Sequence, residues 1–301
     1  MKVFKKRESI VQNIAYMGIM AAINIIFIIM TYFIPFLLFV LVLVLPLCSA
    51  IITFYCKKIY FPIYFVVVAA ICLLIDLSDG IFYVIPSLIT GFIFGLMIDK
   101  KIPSVFIIVS VTIVQFGLSL VSIPLIQLLT NRNIVTDMAT LFKINEYEYL
   151  SYVKYAFIFF VAFAQTILSF LVMHSELNKF GMIFIDKMNK YFVSDIIVIS
   201  LVGLSVAFAF IYPDICYLFL LTSLIFLVDR LINLNYQHYK VYVIELAIIV
   251  LITIFFVALV YRYIPNPLGL LTLGILPVLI SIACIINNCL LSKHNKDTII
   301  E

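Results

Sequence analysis

The sequence predicts an all-α polytopic membrane protein of about ten transmembrane helices (eight to ten), and three observations carry that reading. Apolar residues make up 66% of the 301-residue chain, charged residues only 11%, and the mean hydropathy is +1.27. These values lie far outside the range of soluble globular domains. The second observation is a stretch with almost no charge, from Ile10 to Cys56. As one helix it would be roughly 70 Å long at about 1.5 Å per residue, more than twice the roughly 30 Å of a bilayer core. It must turn back, and Thr31-Tyr32-Phe33-Ile34-Pro35 offers the break. The third observation is that the cations fall on one side of the apolar segments.

Taken in order, the spans are 12–33, 36–56, 59–75, 81–98, 104–129, 152–173, 193–211, 215–229, 241–262 and 267–291. Short polar breaks separate the first four: the turn near Pro35, then Lys57-Lys58, Asp76 to Gly80, and Asp99-Lys100-Lys101. With the N-terminus inside, the inner segments hold fifteen of the 19 Lys and Arg residues, among them Lys2 to Arg7, Lys57, Lys58, Lys100, Lys101, Lys187 and Lys190. The outer segments hold only Arg132, Lys143, Lys154 and Arg262. That is a strong positive-inside bias, and it places both termini in the cytoplasm. The net charge of +4 is therefore a topology signal, not a nucleic-acid footprint. The basic N-terminus leads into an apolar run too long for a removable signal.

Two connecting segments stand out. The longest outer loop, 130–151, carries Arg132, Asp137, Lys143, Glu146 and Glu148, and reads either as a lid or as a solvated linker. On the inner side, 176–192 places Leu177, Phe180, Phe184, Met188 and Tyr191 on one helical stripe, as expected of a helix lying in the interface. It would join residues 10–173, a six-helix bundle, to a C-terminal helical extension, 193–291, with 174–192 as a cytoplasmic amphipathic linker.

In lipid, helices associate through close packing at small residues. Ala15, Gly18 and Ala22 recur at three- and four-residue steps in the first span, and Gly91-x-x-x-Gly95 marks the fourth. Each is either an internal packing seam or a partner surface. Polar side chains deep in a span face the bundle interior. Asn24 lies in span 1 and Gln165 in span 6. Span 5 carries Thr112, Gln115, Ser119 and Ser122 at steps of three, four and three, which is one continuous polar face. Such a face lines a pocket or hydrogen-bonds to neighbouring helices.

Charge inside the spans is nearly absent. Asp195 and Asp229 are expected at span ends in reach of water, with Glu245 near the start of span 9, which argues against autonomous ion-coupled transport. Pro46, Pro86, Pro124 and Pro277 mark expected kinks. The six cysteines have no CxxC spacing or nearby His and read as small buried side chains. His174, His238 and His294 form no metal motif, and no nucleophile elbow, phosphate loop or phosphotransferase signature appears. The expectation is a non-enzyme without cofactors or bound metal, whose energy for any uphill movement comes from a partner.

The segment IAYMGIMAAINIIF after a basic N-terminus resembles the first helix of substrate-binding S components of energy-coupling-factor (ECF) transporters. Six spans, a longer fifth helix and the fourth-span segment PSLITGFIFGLMIDKK are similar to that plan. With its C-terminal spans, the whole chain resembles the YybS-like predicted membrane proteins of low-GC bacteria, whose activity is not established. In S components a small-xxx-small motif on helix 1 docks on a transmembrane coupling subunit, and Gly18 and Ala22 occupy the matching places. Family substrates are vitamins, their precursors or metal ions, held near the outer face under loops matching 33–36, 76–80 and 130–151. No vitamin-specific motif appears, nor do the N-terminal histidines of the nickel and cobalt members. The resemblance implies a subunit of the bacterial cytoplasmic membrane that captures a small organic solute between helices 1, 5 and 6. Its partners would be the lipid bilayer, a coupling protein and ATPases, with no nucleic acid. The competing expectation is a non-transport scaffold or assembly factor for cell-envelope processes, which uses the bundle as an anchor.

Overall fold

A computed structural model describes residues 8–34, 37–130, 147–179, 184–185, 191–232, 248–253, 255, 272 and 274–297. Among these residues the regular structure is helical, apart from an isolated parallel bridge between Pro103 and Ile185. Five helical stretches are long and apolar enough to cross a membrane: Ile10–Phe33, Lys58–Ile75, Leu77–Asp99, Ser104–Leu129 and Tyr155–Lys179. The chain is thus an all-α membrane protein. Shorter apolar helices cover Leu43–Tyr55, Val193–Ala209, Ile215–Asp229 and Ile275–Ile286.

The chain divides into two compact units. The first comprises Met1–Leu141 with Ile158–Asp186, the second Phe142–Phe157 with Lys187–Glu301. The first unit begins with α1 (Ile10–Phe33), whose start is set by Ser9: its hydroxyl accepts the Gln12 amide at 3.2 Å. That satisfies one of the N–H groups a helix end leaves open. Asn13 then bridges two chain segments. Its Nδ2 donates to the Ser9 carbonyl at 2.7 Å, and its Oδ1 accepts the Lys57 amide at 2.8 Å. α2 (Leu38–Tyr55) and α3 (Phe61–Ile75) meet at that Lys57 turn, and Lys58 pairs with Asp99 at the end of α4 (Ile85–Asp99) at 2.9 Å. The start of α1, the α2–α3 turn and the end of α4 therefore share one end of the unit.

Close backbone approach joins α2 to α4. A Cβ on Gly91 would stand 2.6 Å from Pro46 Cα and from Ser49 Cβ, and one on Gly95 would stand 2.7 Å from the Ala50 carbonyl oxygen. The fourth-span glycines are thus an internal seam. One apolar cluster joins α1, α2 and α3 through Met17, Ile28, Leu45 and Val68. Another joins α2 and α4 to α5 (Ser104–Thr130) and α6 (Tyr147–Lys179) through Ala50, Phe94, Val111 and Met173.

In the second unit, α7 (Tyr191–Ala209) and α8 (Pro213–Ile232) form a hairpin, tied where Ser205 Oγ donates to the Cys216 carbonyl at 2.8 Å. α9 (Ile275–Asp297) packs on both, with Gly274 against Val202 and Leu220.

Several expectations are corrected. The third break is a single extended residue, Asp76, because its carboxylate at once accepts the Asp79 amide at 2.9 Å and starts the next turn. Pro277 stands in the first turn of α9, where no intrahelical N–H is lost, whereas Pro46 and Pro124 lie within α2 and α5 and Pro86 follows directly on a helical turn, Gly80–Val84, that runs into α4. The interfacial helix over 176–192 is not continuous. Residues 176–179 extend α6, while Phe184 and Ile185 are extended: Phe184 packs on Phe170 and His174, and Ile185 accepts the Ser104 amide at 2.9 Å. Leu177 and Phe184 of the expected stripe are buried against protein, while Phe180 and Met188 lie outside the described residues. Asp195 does not reach water; it is wholly buried in α7.

Residues 131–146 of the outer loop lie outside the described residues. So do most of 241–262, of which 248–253 are helical, and residues 267–271 of the last expected span. Among the described residues Cys48, Cys56, Cys72, Cys216 and Cys284 are in no disulfide and are buried, as their apolar surroundings predict.

Candidate solute site and helix-docking face

α1 presents two different faces. Asn13, Met17, Ala21, Asn24, Ile28 and Thr31 are buried, at steps of three and four. Ala15, Gly18 and Ala22 lie on the other side and are exposed, and a Cβ built on Gly18 would meet nothing within 4 Å. The small-residue row is therefore not used for packing within the described chain.

Asn24 is fully buried, and its Nδ2 donates to the Tyr64 hydroxyl on α3. Ser49 of α2 stands beside the same hydroxyl. The Asn24 Oδ1 has no hydrogen-bond partner. An Asn in a lipid-deep helix is costly alone, and Tyr64 supplies the matching polar group from a neighbouring helix. Tyr64 lies in the first turn of α3, and the signal for it in the sequence was a phenol inside an apolar span.

The polar face of α5 turns inward as a unit: Thr112, Gln115 and Ser122 are buried and Ser119 is half-buried. Its members then diverge in their bonding. Gln115 Nε2 donates to Gln165 Oε1 of α6 at 3.0 Å, joining two residues 50 apart in the chain. Ser119 turns back on its own helix and donates to the Gln115 carbonyl at 2.9 Å. Ser122 Oγ donates to the Ile81 carbonyl at 3.2 Å, just before α4. Thr112 is fully buried and its hydroxyl has no partner; the same holds for Thr166, next to Gln165. A ring contact between Phe116 and Phe159, centroids 5.7 Å apart, also joins α5 to α6.

The structure thus brings Gln115 and Gln165 together and places Asn24 in a different pair, with no hydrogen bond linking the two. The Gln115–Gln165 pair is two neutral amides, and the Asn24 pair joins an amide to a phenol. What α5 and α6 offer together is uncharged hydrogen bonding, with two buried hydroxyls on the same helices still open. Buried polar atoms in proteins are nearly always satisfied, by protein, water or ligand.

Sequence reasoning missed Asn13, which sits one helical turn beyond Ser9 and is wholly buried. It also missed Thr166 and Ser169, whose three-residue spacing on the α6 stripe was the available signal. Compared with family models, curated proteins and solved structures, the chain matches none.

Proposed function

We propose that this protein is a membrane subunit that captures a small, hydrogen-bonding organic solute between α5 and α6, in the manner of an ECF-type S component, and is energised by separate coupling and ATPase proteins. The observation that carries the reading is the part-buried Gln115–Gln165 pair together with the buried, unpartnered Thr112 and Thr166 hydroxyls on the same two helices. A solute that uses those hydroxyls satisfies groups the protein leaves open. The exposed Ala15, Gly18 and Ala22 face is then the docking face for the coupling protein, since small residues let helix backbones approach closely. The membrane is the bacterial cytoplasmic one, spanned about ten times with both termini inside. The clustering of Lys57, Lys58 and Asp99 with the start of α1 at one end supports that orientation for the first unit.

Native mass spectrometry of mildly extracted protein tests capture. The expected result is a bound small molecule that is lost in Thr112→Val and Thr166→Val together. Absence of any bound solute, with no coupling protein co-purifying and Gly18→Leu without effect on uptake, removes the reading.

A second reading is favoured by one specific observation. Asn24–Tyr64 and Gln115–Gln165 are separate interhelical links, which is the arrangement a rigid envelope scaffold would use merely to hold its helices together. That reading predicts a protein that purifies without solute and captures assembly proteins through its exposed faces.

A further inference from the structure

The turn Gly80–Val84, ahead of α4, is π-helical, with the Ile85 amide donating to the Gly80 carbonyl five residues back. The cause lies in the next residues. Once Ile85 is bonded to Gly80, the next N–H that could serve the Ile81 carbonyl belongs to residue 86, and residue 86 is a proline. Ile81 is left with a carbonyl that no backbone amide reaches, and Ser122 supplies the missing donor from α5 at 3.2 Å. The alternative α register would bond Ile85 to Ile81 instead. It would leave Ser122 without that acceptor and move the proline's vacancy to the Phe82 carbonyl.

The two registers are therefore nearly balanced in hydrogen bonds, and they differ in what Ser122 does. They differ also in geometry. α4 is fixed beyond the turn, because Gly91 and Gly95 are wedged against α2. A change of register must be absorbed on the other side, by residues 77–80. Asp76, extended at φ −145° and ψ 116°, is the joint where the chain can take up one residue of slack. In the α register each of residues 77–80 advances by one position, about 1.5 Å along the axis and roughly 100° around it.

We propose that Gly80–Val84 is a two-register switch at the Asp76 end of α4, held in its π state by the Ser122 hydroxyl and by Pro86. Ser122 is a positioning residue: it sets which faces of the Leu77–Asp79 turn point outward, including the half-buried carboxylate of Asp79. Ser122 shares the α5 polar face with Gln115, so a solute there that engages this hydroxyl would release the turn. That coupling rests on the capture reading; the switch itself requires no solute and is tested without one.

The test uses full-length protein in lipid nanodiscs, with single cysteines placed at 77, 78, 79, 81 and 82 and a water-soluble maleimide. Labelling of the parent protein is subtracted. In the π register Leu77 is the exposed position of this set, the others being half-buried, so labelling peaks at 77. Pro86→Ala removes the ring that in the α register would press on the carbonyl four residues back, that of Phe82, and so frees the α register, and Ser122→Ala removes the prop from the π register. Both move the labelling maximum by one residue, from 77 to 78, while Ser122→Thr keeps it at 77. A maximum that stays at 77 in Pro86→Ala overturns the proposal. So does a maximum that stays at 77 in folded Ser122→Ala, or one that moves in Ser122→Thr. Should Ser122→Ala fail to fold, Pro86→Ala decides alone, because replacing a proline with alanine does not disrupt a helix.

Discussion

Single side chains in this protein do their work in pairs across helices, so the informative measurements are on pairs. Gln115→Leu leaves the half-buried Gln165 amide without its partner, and the reverse substitution strands the buried Gln115. Each single variant is expected to lose about 1–2 kcal/mol, and the double variant little more than one of them, since two leucines no longer strand anything. Thermal unfolding in a double-mutant cycle reads that coupling, and strictly additive losses would show that the bond contributes nothing. Asn13 is a stronger case, because one side chain satisfies both the Ser9 carbonyl and the Lys57 amide. Asn13→Ala is expected to cost about 2 kcal/mol and to loosen the Lys57 turn, visible as faster hydrogen exchange at that amide. Asp195 and Asp229 look alike in the sequence, yet the first is wholly buried and the second only half-buried.

Among the elements, the contrast between the two small-residue rows is the clearest. Gly18-x-x-x-Ala22 and Gly91-x-x-x-Gly95 have the same spacing, and nothing in either motif says which is used internally. The structure gives them opposite fates: Gly91 and Gly95 touch the α2 backbone, and Gly18 touches nothing. Gly95→Ala is thus expected to destabilise the isolated protein by about 1–3 kcal/mol through overpacking, whereas Gly18→Ala, with nothing to crowd, raises stability by up to about 1 kcal/mol through helix propensity. Unfolding of both variants side by side checks this, and a destabilising Gly18→Ala would mean that the α1 face is covered after all. Helix boundaries were legible where a polar residue acts locally. Lys57-Lys58 and Asp99-Lys100-Lys101 end spans as expected, and Lys101 closes α4 in the left-handed region at φ 56°. Boundaries were misplaced where a side chain restarts the helix, as Asp76 does, and where a stripe finds a protein partner, as Phe184 does.

For the molecule as a whole, the sequence by itself determined the class. A chain this apolar, broken only by short polar turns, has helices as its way to satisfy backbone groups in lipid without closing a barrel. It also determined that the polar groups of α5 turn inward together, because exposing them to acyl chains is costly. Only the tertiary structure decided who meets whom: Asn24 with Tyr64, Gln115 with Gln165, Ser122 with the carbonyl that Pro86 leaves unserved. The reason lies in the solvent. In water the apolar stripe of a helix announces its buried face, but in lipid both faces are apolar and hydropathy no longer encodes rotation about the helix axis. That rotation is fixed by a few hydrogen bonds and close contacts between residues far apart in the chain, and such pairings become visible only when the helices are side by side.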